Sequence, residues 1–103
     1  MHKPLISIVI NCFNSDEYLK IAIDSAINQT YENWEIIFWD NQSTDESANI
    51  VKSYDDERIN YFYAPVHTPL GEARNLAIEK AKGEWVCILD CDDIWHENKL
   101  EAS

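Results

Sequence analysis

The sequence has 103 residues, of which 46% are hydrophobic, and its formal net charge is −11 at pH 7. This length predicts one small domain spanning residues 1–103, with enough apolar side chains for a packed core. The acidic balance argues against nucleic acid as a partner, because phosphate-binding surfaces need clustered Lys and Arg. The uninterrupted apolar runs are only a few residues long, so neither a signal peptide nor a membrane-spanning helix is predicted.

The chain contains three cysteines, an odd number without a CxxC pair. Cys12 and Cys87 lie in or beside apolar segments, where a free thiol behaves as a small hydrophobic side chain. Together with Cys91 they are typical of a protein from a reducing compartment rather than of a disulfide scaffold. We therefore expect a cytoplasmic location.

The first third of the chain predicts a strand and a helix. Residues 5–10 (LISIVI) form a nearly continuous apolar run rich in β-branched side chains, which indicates a strand buried on both faces. The segment 11–14 (NCFN) breaks this strand, and Asn14 with Glu17 forms a capping-box-like start for a helix. Apolar side chains then recur at helical spacing as far as residue 27: Tyr18, Leu19, Ala22, Ile23, Ala26 and Ile27.

A second strand and helix follow. Residues 34–39 (WEIIFW) predict another buried strand, which ends at Asp40. The segment 43–46 (STDE) has the composition of a second capping box. The helix after it is indicated by Ala48, Ile50, Val51 and Tyr54.

The last part of the chain repeats the pattern. Residues 59–63 (INYFY) predict a third strand, and residues 70–81 a helix that ends at a Lys82-Gly83 cap. The inward-facing residues of this helix are predicted to be Ala73, Leu76, Ala77 and Ala81. Residues 85–89 (WVCIL) predict a fourth buried strand, and a further helical segment is expected from Trp95.

Strands that alternate with helices over short loops predict an α/β fold with a mostly parallel sheet flanked by helices. In such sheets, ligands bind in the crevice at the carboxyl ends of the strands. Four polar side chains end predicted strands, namely Asn11, Asp40, Asn41 and Asp90. The sequence therefore predicts a ligand site at this edge of the sheet.

The acidic turn 90–93 (DCDD) is the strongest candidate site. Asp90, Asp92 and Asp93 repel one another unless they are solvated or bridged by a cation. Mg²⁺ and Mn²⁺ take few protein carboxylates and complete their coordination with water and ligand phosphates. The alternative is an acidic surface turn in which Asp93 caps the next helix. An EF-hand is excluded because a loop counted from Asp90 has Ile94 at the fifth position, which needs an oxygen ligand, and Trp95 at the sixth, which needs Gly. A glycine-rich phosphate loop is excluded because the chain has only two glycines, and neither lies between a strand and a helix start.

Two weaker candidates accompany this turn. Asp40 and Asn41 begin a polar segment, 40–45 (DNQSTD), which could hydrogen-bond a base or ribose, whereas capping of the next helix explains Ser43. Arg74, beside Asn75, could reach a pyrophosphate. The alternative is that Arg74 forms an ion pair on the surface, and this alternative is favoured when Arg74 is considered without the other candidate residues.

Taken together, these segments resemble the nucleotide-binding half of the inverting, GT-A-fold glycosyltransferases of family 2. The matching segments are 7–14 (SIVINCFN), 25–31 (SAINQTY), 39–45 (WDNQSTD), 73–75 (ARN), 82–85 (KGEW) and 89–93 (LDCDD). The resemblance runs from Leu5 to about Leu100 and implies a Rossmann-like fold.

The resemblance also implies an activity. Proteins of this family transfer a sugar from a nucleotide-sugar donor, usually UDP-linked, to a glycan or lipid-linked acceptor. Residues at the positions of Asn11 and Phe13 would flank the base, and Asp40 and Asn41 would contact base or ribose. Arg74 would serve the nucleotide side of the pocket. The acidic turn would be the family's DxD-type element. Asp90 and Asp92 would contact the nucleotide, and Asp92 and Asp93 would bind the Mn²⁺ or Mg²⁺ ion that holds the diphosphate.

The chain departs from the family pattern after its first two strands. The first loop commonly reads Pro-Thr-Tyr-Asn, and the second strand is commonly followed by two acids, where this chain has Asp40-Asn41. The acceptor half and the catalytic base are expected beyond Ser103, so the chain is expected to be a fragment of a longer transferase domain. Membrane association through that further part stays open.

Two other functions remain open at this stage. A non-catalytic nucleotide-binding module would use the same crevice without turnover. A Mg²⁺-dependent phosphatase of the haloacid dehalogenase type also places Asp-x-Asp after an apolar strand, but it needs Lys and further acids later in the chain.

Overall fold

The computed structural model describes residues 3–91, 93–97 and 99–102, except for the side chains of 101 and 102. The strands in this part of the chain are β1 (Ile6–Cys12), β2 (Trp34–Asp40), β3 (Ile59–Tyr63) and β4 (Trp85–Ile88). The helices are α1 (Asp16–Ile27), α2 (Ser47–Lys52), α3 (Leu70–Ile78) and α4 (Lys99–Ala102). The predicted alternation of strands and helices is confirmed.

The described strands form one sheet in the order β3-β2-β1-β4, and every neighbouring pair is parallel. Ile8 in the centre of β1 lies opposite Ile36 on one side and Cys87 on the other. Strands β2 and β3 follow one another on one side of β1. The connection through α3 then crosses the sheet and places β4 on the other side of β1. All the carboxyl ends therefore meet at one edge, as predicted for a ligand site.

Helices cover both faces of the sheet. Side chains alternate between the two faces along a strand, so Ile8 packs in a cluster with Leu19 of α1 and Val51 of α2, whereas Val9 packs with Ala73 of α3. Six of the seven β1 residues are buried. The prediction that the first strand is buried on both faces is confirmed.

The fourth strand differs from its prediction. Residues 85–89 were expected to be a buried strand, but β4 is an edge strand of the described sheet, and Trp85 and Ile88 are 64% and 37% exposed. Leu89, which lies just beyond β4, is the one fully buried side chain of the segment. A run of apolar letters does not distinguish an edge strand from a central one, because that depends on which strands are its neighbours.

Both predicted capping boxes are wrong. The first helix begins at Asp16 after Ser15, the second begins at Ser47 after Glu46, and neither N-cap makes a side-chain capping bond. Asn14 and Ser43 lie outside the helices and bond to each other's loops instead. Strand β1 also continues through Cys12, so segment 11–14 does not break it where predicted.

Other boundaries also differ. Helix α3 ends at Ile78 because Lys80 and Ala81 form tight bonds to carbonyls three residues back, so Lys82-Gly83 is not its cap. Helix α4 begins only at Lys99, which leaves Trp95 in a loop. Tyr18 is 52% exposed and does not belong to the buried stripe of α1. None of the helices in the described ranges has the length and apolarity to cross a bilayer.

Gly83 brings the chain close to β1. A Cβ atom there would lie 2.6 Å from the Leu5 carbonyl oxygen and 2.8 Å from the Ser7 nitrogen, so backbone would have to move. We expect Gly83→Ala to lower the free energy of unfolding by about 1–3 kcal/mol through overpacking, measured by urea denaturation. Gly71→Ala is the matched control, because a Cβ at this position meets nothing within 4 Å. This substitution should stabilise helix α3 by roughly 0.5–1 kcal/mol. Equal effects at the two glycines would contradict the close approach.

Candidate functional site

A cleft of about 230 Å³ opens at the carboxyl edge of the sheet. It lies between the end of β1, the loop after β2 and the beginning of α3. Its lining residues are Asn11, Cys12, Phe13, Asn41, His67, Thr68, Pro69, Leu70 and Ala73. Three of the predicted site residues, Asn11, Phe13 and Asn41, are therefore brought together around one cavity.

Asn11, a lining residue of this cleft, has an unsatisfied carboxamide. Its Oδ1 and Nδ2 atoms are both buried and have no hydrogen-bond partner. Buried polar atoms in folded proteins are almost always bonded, so an unpaired donor and acceptor side by side indicate a place for a ligand. The Oγ1 atom of Thr68, another lining residue, is also buried and unpaired.

Phe13 and His67 form an aromatic wall. The two rings meet edge to face, with centroids 4.5 Å apart and an interplanar angle of 61°. Phe13 is 48% exposed, so much of its ring is accessible for stacking. His67 is held in place by a 2.9 Å hydrogen bond between its Nδ1 atom, as donor, and the Asn41 carbonyl oxygen.

Asp40 does not line the cleft. Its side chain is 0% exposed. One carboxylate oxygen accepts the Ser43 N–H at 2.7 Å and the other accepts the Tyr61 hydroxyl at 2.5 Å. Burial and this carboxylate both raise the pKa of Tyr61. In this structure, Asp40 holds the turn that carries Asn41 rather than facing a ligand, and its predicted contact with base or ribose stays a prediction.

Asn41 closes the cleft by binding the loop before α3. Its Nδ2 donates to the Thr68 carbonyl at 2.7 Å, and its Oδ1 accepts the Thr68 N–H at 3.0 Å. Its own N–H donates to the Cys12 carbonyl at 2.8 Å. An aspartate could not donate to the Thr68 carbonyl. One indication of this contact with Thr68 was present in the sequence, namely an asparagine at a position where the family commonly has an acid.

The loops after β1 and β2 are interlocked by side chains that were predicted to cap helices. The Asn14 N–H donates to Ser43 Oγ at 2.9 Å, and Asn14 Oδ1 accepts the Thr44 N–H at 2.7 Å. Asn14 has a φ of 48°, a left-handed conformation that asparagine tolerates better than most residues. These bonds fix the position of Phe13 at the mouth of the cleft.

The acidic turn lies beside the cleft. The Cys91 thiol donates to the Asn11 carbonyl at 2.7 Å, and the Asp93 N–H donates to the Asp90 carbonyl at 3.0 Å. Asp90 and Asp93 are exposed. Asp92, predicted to contact both nucleotide and metal, lies outside the described residues. Because α4 begins only at Lys99, the alternative in which Asp93 caps the next helix is wrong.

The fit of a divalent metal to this turn can be judged from the donor chemistry. No cluster of three His, Cys, Asp or Glu side chains with metal-binding geometry occurs within the described ranges, which leave out Asp92. Asp90 and Asp93 nevertheless supply accessible carboxylates on both sides of that residue. Hard oxygen donors of this kind suit Mg²⁺ or Mn²⁺.

Arg74 lies on α3 next to Ala73, a lining residue of the cleft. It is half-buried, and its Nε atom is buried without a hydrogen-bond partner. No ion pair connects Arg74 to any carboxylate of the described chain. The surface ion pair considered from the sequence is therefore not formed with these residues.

Comparison with known proteins places the chain in a family. The model for "Glycosyl transferase family 2" matches residues 7–102. A putative teichuronic acid biosynthesis glycosyltransferase of Bacillus subtilis is 38% identical over 101 residues, which cover 96% of this chain and 40% of that protein. The Escherichia coli protein named UDP-Glc:alpha-D-GlcNAc-diphosphoundecaprenol beta-1,3-glucosyltransferase WfgD is 36% identical over 101 residues, or 98% of this chain and 40% of the relative.

Solved structures agree with this result. TarS of S. aureus in complex with UDP-GlcNAc superposes with a TM-score of 0.89 at 26% identity, covering 94% of this chain and 29% of that one. A Pyrobaculum calidifontis mannosyltransferase in complex with GDP-Man and Mn²⁺ shares the fold, with a TM-score of 0.87 at 23% identity over 96% of this chain and 31% of that chain. The parallel sheet and cleft described above therefore have the architecture of the GT-A-fold enzymes, and the chain belongs to glycosyl transferase family 2.

Proposed function

We propose that this chain forms the donor-binding half of a glycosyltransferase that uses a UDP-linked sugar. The sugar is transferred with inversion to a glycan or lipid-linked acceptor during synthesis of a cell-surface polysaccharide, and the reaction takes place in the cytoplasm. The relatives support the substrate class, because one is named for teichuronic acid biosynthesis and another for transfer from UDP-Glc to a diphosphoundecaprenol-linked acceptor. The phosphatase alternative is set aside, since the chain belongs to a glycosyltransferase family.

The observation that carries the proposal is the buried, unpaired carboxamide of Asn11, a residue that lines the cleft. One acceptor and one donor side by side complement the imide edge of uracil, which presents an N–H next to a carbonyl oxygen. The half-exposed ring of Phe13 lies on the same cavity and can stack on the base, as aromatic side chains do in nucleotide sites. Asn41 and Asp40 keep these groups in position through the bonds described above.

The diphosphate is proposed to lie toward the acidic turn. Asp92 and Asp93 would hold Mn²⁺ or Mg²⁺, and Asp90 and Asp92 would face the nucleotide. When bound, the metal supplies positive charge that stabilises the leaving nucleoside diphosphate. Arg74 carries an unpaired Nε and no described ion pair, so it can offer a charged donor to the same phosphates.

No residue of this chain is assigned as the catalytic base. The chain covers 40% of the length of both named relatives, and the base is proposed to lie in sequence beyond Ser103. The chain's own contribution is then to bind and orient the donor. Incubation of the full protein with sugar-labelled UDP donors separates transfer or hydrolysis from binding without turnover.

We expect UDP with Mn²⁺ to raise the melting temperature of the chain by roughly 10 °C at a hundredfold excess over Kd. Asp92→Ala should remove most of this shift, because it deletes a carboxylate proposed to hold the metal. Asp55→Ala is the matched control, since Asp55 is an exposed aspartate between α2 and β3 and its loss should leave the shift intact.

The same melting experiment tests the base. GDP presents a similar imide edge on a larger ring, and dTDP adds a methyl group to the uracil ring. Stronger stabilisation by UDP than by GDP supports the proposed donor. Melting curves that do not respond to any of the three nucleotides with Mn²⁺ would refute the nucleotide site.

A further inference from the structure

Two cysteines that are far apart in the sequence meet beneath the nucleotide cleft. Cys12 is the last residue of β1, and the Leu89 N–H donates to the Val9 carbonyl at 3.0 Å. The chain beyond β4 therefore continues alongside β1. It brings the Cys91 sulfur to 2.7 Å from the carbonyl oxygen of Asn11, the residue bonded to Cys12. Both side chains belong to the same buried cluster.

The side-by-side course of β1 and the segment after β4 is compatible with a disulfide. Adjacent strands lie about 4.8 Å apart, and disulfides join residues whose Cα atoms are about 4.4–6.8 Å apart. Cys87, the third cysteine, lies opposite Ile8 within β4. It is four residues before Cys91 in the chain, so it is remote from Cys12 at the end of β1.

Cys12 is also the more reactive thiol by environment. The pKa of Cys12 is lowered to about 7 by the Cys91 thiol, which can turn its one S–H from the Asn11 carbonyl to the Cys12 thiolate, although burial acts in the opposite direction. Burial raises the pKa of Cys87. Cys12 is only 2% exposed but lines the cleft, so the cleft is the route by which a small oxidant would reach it. The thiolate is the form that reacts with oxidants.

We propose that Cys12 and Cys91 form a reversible disulfide when the protein meets a peroxide, and that this disulfide weakens donor binding. The Cys12 thiolate attacks one peroxide oxygen and breaks the O–O bond, giving a sulfenic acid and, after protonation, water from hydrogen peroxide. The Cys91 sulfur then attacks the sulfenic sulfur, and a second water leaves. Two thiols and one peroxide thus give one disulfide and two waters. A cellular thiol restores both cysteines by exchange.

The effect on binding rests on the proposed function. Cys12 lies between Asn11 and Phe13, which line the cleft proposed for the base, and Cys91 follows Asp90 in the acidic turn. Forming the bond removes the hydrogen bond from Cys91 to the Asn11 carbonyl. It also covalently constrains the end of β1 between Asn11 and Phe13, two residues that line the cleft. The groups proposed for the base are therefore expected to lose their alignment.

Thiol mapping tests the chemical step without reference to nucleotide. The full chain is treated with one equivalent of hydrogen peroxide, alkylated and digested, and its peptides are analysed by mass spectrometry. We expect a peptide pair joined through Cys12 and Cys91, with a mass two hydrogen atoms below that of the two free peptides. Dithiothreitol should reverse this crosslink, and Cys87 should be found alkylated. Cys87→Ser should behave like the parent chain, and Cys12→Ser and Cys91→Ser should not crosslink. Crosslinks through Cys87, or three cysteines alkylated after peroxide, would overturn the proposal.

Binding measurements test the consequence. The affinity for UDP with Mn²⁺ is measured in the reduced and oxidised chain, and we expect oxidation to lower it by about tenfold or more. Cys12→Ser cannot form the sulfenic acid, so this variant, if its melting temperature is preserved, should have the same UDP affinity before and after peroxide. Equal affinity of the reduced and oxidised parent chain would overturn the regulatory effect. Failure of the reduced chain to bind UDP would instead count against the proposed function. The mass-spectrometric mapping would still show whether Cys12 and Cys91 form a disulfide.

Discussion

Replacing Asn11 by alanine should make the free chain more stable and the UDP complex weaker. The carboxamide atoms of Asn11 are buried without partners, and each such group costs about 1–3 kcal/mol of desolvation. Removing them should therefore raise the free energy of unfolding by about 1 kcal/mol, even after the loss of packing. The same change deletes two hydrogen bonds proposed for the base, which should lower UDP affinity by about ten- to a hundredfold.

The opposite signs of these two effects distinguish a ligand-binding residue from a structural one. Stability is measured by urea denaturation of the apo chain and affinity by calorimetry with UDP and Mn²⁺. Asn49→Ala is the matched control, because Asn49 is an exposed residue of α2 whose Nδ2 donates to the neighbouring, exposed Glu46. It should change neither quantity appreciably. A less stable Asn11→Ala chain with undiminished UDP affinity would show that the carboxamide supports the fold instead.

Asp40→Ala should destabilise the chain strongly. The change removes the acceptors of the Ser43 N–H and the Tyr61 hydroxyl in a fully buried place. An unpaired buried donor costs about 1–3 kcal/mol and the cavity adds to this, so we expect a loss of about 3–4 kcal/mol. UDP binding should weaken as well, because the turn that positions Asn41 loses its anchor. Urea denaturation and calorimetry measure the two effects.

Tyr61→Phe separates the two bonds of Asp40. It removes one donor and leaves the Ser43 bond intact, so a loss of about 1–2 kcal/mol is expected. The double variant should cost less than the sum of the single changes, because the two side chains share one bond. Exposed Asp55 again provides the control, with an expected change near zero for Asp55→Ala. Additive losses would show that Asp40 does not act through Tyr61.

Much of the fold and part of the site could be predicted from local sequence. The apolar runs identified every strand of the described sheet to within about two residues, because burial of consecutive β-branched side chains is a local signal. The order of strands and helices then placed the site at the carboxyl edge. It also placed Asn11 and Asn41 there, the family resemblance added Phe13, and the structure brings these three to one cleft.

The tertiary structure alone decided how the polar side chains are used. Asn14 and Ser43 have the composition of helix caps, but they bond to each other's loops across 29 residues. Asn41 clamps Thr68 across 27 residues. These hydrogen-bond partners depend on the register of the strands and on which loops lie at the same edge of the sheet. Neither can be predicted from the periodicity of the sequence.

The sequence by itself determined at which edge of the sheet the cleft lies and which polar residues end the strands there, because strand ends and acidic turns are local features. Only the folded chain decided that Asp40 is buried beneath the site and that Asn11 remains unpaired within it. Only the fold placed Cys91 beside the end of β1, 80 residues from the carbonyl that it contacts. The physical reason is the same in each case: a polar or thiol group is defined by its neighbours, and parallel strands bring those neighbours from distant parts of the chain.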